Sequence, residues 1–442
     1  MRIFSQSRLP LNKGSAASSA FSAREDVSAE TENGKRRTEN FRRRLLGGAC
    51  VLAAALLLTS CASGPKGPSV QQIEAAQKQA VADGIPQPLQ HMYIDLLTDG
   101  ERQYVLNAMR LGLAAERSGY SDLAKRVFDQ AIKRVASLQA GAEQAERTKS
   151  KFVADEEKWF KGEAYERSAL YLYRGILYAA DGDWGNAAAC AKRAQVEDIA
   201  SKEQDSGDWY SAEWLLAFAS LKQNDPGTAN DALARGAKFP NRQGNVLPPA
   251  AEDNVLIVAE AGQGPGKVGL GEYHEKLAFV QGDYKTTKLE IDVPSQAPAT
   301  TAATDSVYVQ ATTRGPRKLD YILNGKAEFK SATDMAGNAA IVAGAATAMT
   351  SNNDTQTIVG LGLVAAGLIS KGVSASSHPA ADTRTWDNLP NSIFLHSFRL
   401  PPGTHQVVLK AFDANGKIVK QETLSVVINP QPNLTVIWTQ LP

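Results

Sequence analysis

The chain has 442 residues, a formal charge of +1 and 43% hydrophobic side chains, enough for two or three domains with cores of their own. Residues 1–60 carry 10 of the 48 basic and 5 of the 47 acidic side chains, so residues 61–442 balance at about −4. That balance gives no electrostatic ground for nucleic-acid binding.

Residues 1–41, rich in Ser, Ala, Arg and Glu, are too long for the basic flank of an export signal, so either the start lies further on or the leader is extended. Arg36-Arg37 opens "RRTENF", which departs from a twin-arginine signal after the pair. Arg42, Arg43 and Arg44 then precede the uncharged run "LLGGACVLAAALLLTS", Leu45–Ser60. Sixteen residues are short for a membrane span but fit the apolar part of a secretory signal. Its end, Leu58-Thr59-Ser60-Cys61, resembles the lipobox of bacterial lipoproteins, in which the cysteine is acylated and becomes the mature N-terminus; the alternative is an ordinary signal cleaved elsewhere. Each buried methylene contributes about 0.8 kcal/mol, so several acyl chains on Cys61 make a stable anchor. Ala62 and Ser63, with no aspartate after the cysteine, match the pattern sent to the outer membrane. Cys50 then leaves with the signal and Cys190 stands alone, so no intrachain disulfide is expected.

The expected order is leader and signal 1–60, tether 61–90, helical repeats 91–240, and a β-rich domain 254–442 holding a Gly/Ala-rich hairpin at 334–377. Three helical segments share one spacing of small residues. Gly112 is followed by Gly119, Ala124, Phe128 and Ala131; Gly175 by Gly182, Ala187, Ala191 and Ala194; Ala217 by Asn224, Ala229, Leu233 and Gly236. This is the spacing of tetratricopeptide repeats, where small side chains let paired helices approach and a Gly or Asn turns the chain. The pairs are 63 and 42 residues apart, not the regular 34 or so. The face expected to be concave is apolar, with Ala169, Leu172, Ile176, Ala179 and Ala180 in one repeat and Ser211, Trp214, Phe218, Leu221 and Lys222 in the next. A downstream segment of the same chain is expected to cover it, with an apolar partner helix as the alternative.

From Asn254 the period changes from 3.6 to 2. "NVLIVAEAGQGPGK", "YKTTKLEIDVPS", "DSVYVQATT" and "RKLDYILNGKAEF" read as strands, and residues 392–442 as four or five antiparallel ones around a tight Asn-Gly turn in "DANGK". The fold class expected is therefore α+β and multidomain: tetratricopeptide-like helices, then an antiparallel, sandwich-like β domain with the hairpin inserted. The apolar runs of that hairpin, each about 12 uninterrupted residues and so roughly 18 Å as helix, are too short to span a bilayer. Burial within the fold, an oligomer interface, and membrane insertion through small-residue packing remain open for it.

No HxxxH, HxH or CxxC pattern supports a metal site, and no cofactor is expected. "GQGPGKVGLG" lacks the Ser or Thr a phosphate loop needs after its lysine, so a strand-to-strand turn is expected instead. No GxSxG is present. Two polar clusters stand out as candidate partner-binding patches, Lys161, Glu163, Tyr165, Glu166 and Arg167 at a helix start, and Asp382, Arg384 and Trp386 after the hairpin. The plainer reading makes them helix-start ion pairs and a loop brace. Asp155, Glu156 and Glu157 facing Glu163 would be the carboxylates of a hydrolase reading.

The lipobox, "KGEAYERSALYLYRGILYAADGDWGNA", "VAEAGQGPGK" and "ADTRTWDNLP" together resemble a family of uncharacterised bacterial outer-membrane lipoproteins with a tetratricopeptide-like N-terminal half and a β-rich C-terminal half. The resemblance covers most of residues 61–442 and supplies no catalytic residues. The function expected from the lipid anchor, the repeats and the aromatic and charged patches is that of a non-enzymatic protein-interaction scaffold, periplasm-facing and held to the outer membrane by lipid. An envelope protein is the expected partner, and a homo-oligomer is possible. The alternatives are an oligomeric or membrane-active accessory of a secretion or pore complex, acting through the hairpin, and an envelope hydrolase.

Overall fold

The computed structural model describes residues 67–145, 159–199, 207–240, 244–293, 296–313, 380–430 and 434–442, with isolated positions 331, 335 and 339. The leader with Cys61, Asp155–Glu157, "RKLDYILNGKAEF" and nearly all of the Gly/Ala-rich stretch lie outside them. Helices come first: α1 Val70–Ala82, a 3-10 turn Gln87–Leu89, α2 Gln90–Thr98, α3 Tyr104–Arg117, α4 Ser121–Ala145, α5 Ala164–Ala180, α6 Trp184–Ile199, α7 Tyr210–Lys222 and α8 Pro226–Gly236. α1 opens on a capping box in which Ser69 and Gln72 satisfy each other's backbone N–H groups. It lies within 61–90, so the helical body starts at Val70 and little of that stretch is tether.

The spacing of small residues produces three helix pairs, α3/α4, α5/α6 and α7/α8. Gly119, Gly182 and Asn224 turn the chain at φ +80°, +74° and +61°, the left-handed region where a Cβ is costly. Gly112 packs on Phe128 so closely that a Cβ would lie 2.4 Å from Cε1. Gly175 holds the same place against Leu215 and Cys190.

The strands are β1 Val255–Ala261, β2 Gly266–Leu270, β3 Lys276–Val280, β4 Lys288–Asp292, β5 Ala299–Ala302, β6 Asp305–Ser306, β7 Ser392–Phe398, β8 Gly403–Phe412, β9 Ile418–Ile428 and β10 Thr435–Leu441. They form sheets of order β10-β1-β7-β6 and β5-β4-β8-β9, and a separate β2-β3 hairpin. β1 is buried throughout because it lies between two layers: Leu256 and Val258 join a core with the helices, while Val255, Ile257, Ala259 and Ala261 join one with the second sheet. That two-sided burial is why its sequence reads as a continuous apolar run.

Three expectations change. β1 and β10 pair in parallel, so the β region is not wholly antiparallel. "DSVYVQATT" is a strand for only two residues and then the short helix α9, Val307–Thr312, because the Ser306 hydroxyl accepts from Val309 N and caps a turn. In "DANGK" only Gly416 takes a positive φ, +77°; the Asp413 carboxylate holds the turn by accepting from Asn415 N and Lys417 N.

The apolar face of the helix pairs is covered by the chain's own downstream strands, as expected. Ala169, Leu172, Ile176, Trp214 and Phe218 belong to the core that holds Leu256, Val258, Ile393 and Leu395. The β10-β1-β7-β6 sheet supplies this cover; the Gly/Ala-rich stretch 334–377 lies almost wholly outside the described residues. Residues 68–442 consequently form one compact unit.

Candidate functional site

The two polar clusters and the Gly-Pro-Gly-Lys turn meet where α5 faces the β2-β3 hairpin. α5 begins after Gly162, at φ +76°, with Glu163 as its N-cap and Glu166 three residues on. Glu166 is fully buried and accepts three hydrogen bonds, from Glu163 N at 2.7 Å, Lys267 Nζ at 2.7 Å and Trp386 N at 2.8 Å. Lys267 is 1% exposed at its side chain. It also donates to the Arg384 carbonyl at 2.9 Å, and its ammonium lies 5.4 Å and 5.6 Å from the Phe160 and Tyr165 ring centroids. A buried ion pair is tolerated only when its remaining hydrogen-bonding capacity is filled in this way.

Arg384 donates from Nε and Nη2 to Asp382, at 2.9 and 2.6 Å, and from Nη1 to the Arg102 carbonyl at 2.9 Å. It thereby fastens the segment before β7 to the turn before α3. Trp386 sets its ring edge-on to Phe128 and Tyr173, at 6.2 and 6.0 Å. Burial, and Glu166 beside it, push the Tyr165 hydroxyl well above its usual range, so it stays neutral. Arg167 turns the other way, donating to Glu197 at 2.6 Å and the Gly162 carbonyl at 2.7 Å. Burial raises the Glu197 carboxyl, but Arg167, Gln139 and Arg193 outweigh it and hold that group below the ordinary value.

Two further buried acids brace the same junction. Glu260 of β1 accepts from Arg117 Nε at 2.6 Å and Tyr173 OH at 2.7 Å. Asp305 of β6 accepts from Tyr210 N at 3.2 Å and Ser211 N at 2.6 Å, the first turn of α7, and from Gln310 at 3.1 Å. Desolvation lifts Asp305 to about 7, even though those donors favour its charged form. At the rim, Arg110 makes two contacts to Asp387, at 2.8 and 3.0 Å.

Of the eight candidate partner-binding residues, Tyr165, Glu166 and Trp386 are buried, Glu163, Arg167, Asp382 and Arg384 are half-buried and only Lys161 is exposed. Glu163, Glu166, Asp382, Arg384 and Trp386 come together around Lys267 as an internal brace, Arg167 faces Glu197, and the three buried residues offer no surface to a partner in this body. The sequence reading missed Lys267, Glu260, Arg117 and Tyr173. Its available signal was Glu260, an acid inside the apolar run of β1, which demands a buried cation or donor.

A cleft of about 290 Å³ opens among α6, α7 and α8, lined by Lys192, Gln195, Glu213, Leu216, Thr228, Asp231 and Arg235. Glu213 accepts from Arg235 at 2.9 Å and from Gln195 at 3.2 Å. Among the described residues no group of His, Cys, Asp and Glu is arranged to hold a metal, and no helix is long and apolar enough to cross a membrane. Comparison with family models, with curated proteins and with solved structures finds no match.

Proposed function

We propose that the chain is an outer-membrane lipoprotein, anchored through Cys61 and facing the periplasm, that works as a non-enzymatic scaffold in an envelope assembly. In this reading α3–α8 are a tetratricopeptide-like array, the two four-stranded sheets are a sandwich-like module, and the chain is a relative of the lipoprotein family it resembles. One observation carries the scaffold reading: the apolar face of the helix pairs is covered by the chain's own β10-β1-β7-β6 sheet, which the buried acids Glu260 and Asp305 tie to the helices. A helical array whose inner face is filled selects partners through its remaining faces. The cleft among α6, α7 and α8, with both charge signs at its edge, is the place we assign to contact.

The test is photo-crosslinking in intact cells from residues substituted at Lys192 and Asp231, with and without Cys61→Ala. Capture of one envelope protein that is lost without the anchor supports the reading. Crosslinks only to other copies of the chain, or none, would overturn it.

A further inference from the structure

The cleft among α6, α7 and α8 has an unfilled acceptor at its floor. Gln195, which lines it, is 9% exposed. Its Nε2 donates to the Trp209 carbonyl at 2.9 Å and to Glu213 Oε1 at 3.2 Å. Both of those partners only accept, so the amide cannot turn over, and its Oε1 is held without a hydrogen-bond partner. Among the described residues that line the cleft, no other buried side-chain polar atom is left so. A buried acceptor without a donor costs about 1–3 kcal/mol, and a donor entering the cleft relieves that cost.

The charges around this acceptor are balanced. Glu213 accepts one hydrogen bond from Gln195 and two from Arg235, of the roughly four that a carboxylate can take. Lys192 and Asp231 are exposed at the edge, Lys192 one turn before Gln195 on α6 and Asp231 one turn before Arg235 on α8. Two cations therefore face two anions in the lining, and a ligand with a single charge would upset that balance. Side chains three apart on a helix have Cβ atoms about 5–6 Å apart, so a carboxylate on Lys192 and an ammonium on Gln195 Oε1 can belong to one small molecule. The volume of about 290 Å³ is at the small end for ligand sites, and Leu216, one turn after Glu213 on α7, supplies an apolar wall.

We propose that the cleft binds a free α-amino acid with an apolar side chain. The ammonium donates to Gln195 Oε1 and to the remaining site on Glu213, the carboxylate accepts from Lys192, and the side chain lies on Leu216. A residue inside a polypeptide lacks both charges and does not fit. This assignment goes beyond partner contact at the cleft, because Lys192 and Asp231 can touch a partner whether or not the floor is filled.

The test uses the full-length protein in mild detergent with three probes: L-leucine, N-acetyl-L-leucine, which lacks the ammonium, and L-leucine amide, which lacks the carboxylate. Saturation-transfer NMR and calorimetry should show L-leucine bound at least tenfold more tightly than either derivative. Lys192→Met, at an exposed position, should weaken L-leucine at least tenfold and leave L-leucine amide unchanged. Gln195→Met should weaken both; should that variant fail to fold, Lys192→Met and the three probes decide alone. No transfer to L-leucine, which would mean that water alone fills the floor, overturns the proposal. So does equal binding of the three probes, or a Lys192→Met variant that loses the amide as much as the acid. Crosslinking of an envelope protein together with no binding of L-leucine would sink this proposal and leave the contact reading standing; the reverse pair of results would do the opposite.

Discussion

Replacing Lys267 by Met keeps most of the stem and deletes the ammonium, leaving Glu166 buried with two backbone donors, Glu163 N and Trp386 N, and no countercharge. Breaking a buried pair by removing one partner costs about 3–5 kcal/mol, because the remaining charge is uncompensated. Lys267→Met is expected in that range, and Glu166→Gln, which strands the ammonium against the Arg384 carbonyl and two rings, is expected near it. The double variant removes both charges, and the Gln amide oxygen still accepts from Trp386 N. It should recover a coupling of roughly 2–3 kcal/mol relative to the sum of the singles. Urea unfolding followed by tryptophan fluorescence and far-UV dichroism measures each corner of the cycle. Coincident transitions test whether helices and sheet unfold together. A Lys267→Met cost under about 1 kcal/mol, or simple additivity, would refute the assignment of this pair as the tie between α5 and the β2-β3 hairpin.

Asp305 lies at about 7 against an ordinary 3.8, so the folded chain holds a proton that the unfolded chain gives up between those values. Its contribution is present in full below about pH 4 and is lost as the pH rises through about 7; Asp305→Asn should flatten that slope in urea midpoints between pH 5 and 8, and an unchanged slope would count against it. Gly112→Ala forces a Cβ into Phe128 and should destabilise by about 1–3 kcal/mol, outweighing the roughly 1 kcal/mol that Ala gains in a helix; a stabilised variant in the same melt would contradict the close packing. Burial pushes the Cys190 thiol up to about 12, so in the folded chain it should stay unreactive to a disulfide reagent at pH 8 and react on unfolding; prompt labelling would mean the α5/α6 pair opens.

What was legible in the sequence was local. The three helix pairs follow from small residues at fixed offsets, because a glycine such as Gly112 must face a ring such as Phe128 within one hairpin. The positive-φ positions at Gly119, Gly182 and Asn224 follow from the same spacing. β1, β4 and the four C-terminal strands were legible from β-formers between turns. Long-range choices were not: parallel pairing of β1 with β10 joins residues 180 apart in register, and no local pattern encodes it. "DSVYVQATT" misled because an alternating pattern of six residues also fits one turn of helix capped by Ser306. Glu166 and Trp386 drew notice for their type, but their burial depends on Lys267, 101 residues from Glu166, which the sequence reading had absorbed into a turn.

The three buried acids differ in which layer supplies the charge. Glu166 sits on a helix and receives its cation from the hairpin; Glu260 sits on a strand and receives Arg117 and Tyr173 from helices; Asp305 sits on a strand and accepts from the first turn of α7. Separating the helices from the strands and the hairpin would therefore expose apolar surface and also strip donors from acids on both sides. An acid stranded on either side by partial opening is costly, so the two layers are expected to open together. A helical array braced in this way cannot admit a peptide into its groove without first losing the braces. Under the scaffold reading proposed above, partner contact falls to faces such as the α6–α8 cleft, where Lys192, Asp231 and Arg235 are exposed above a floor of buried Gln195, Glu213 and Leu216 and the half-exposed Arg235 of the Glu213–Arg235 pair can re-pair with an incoming charge.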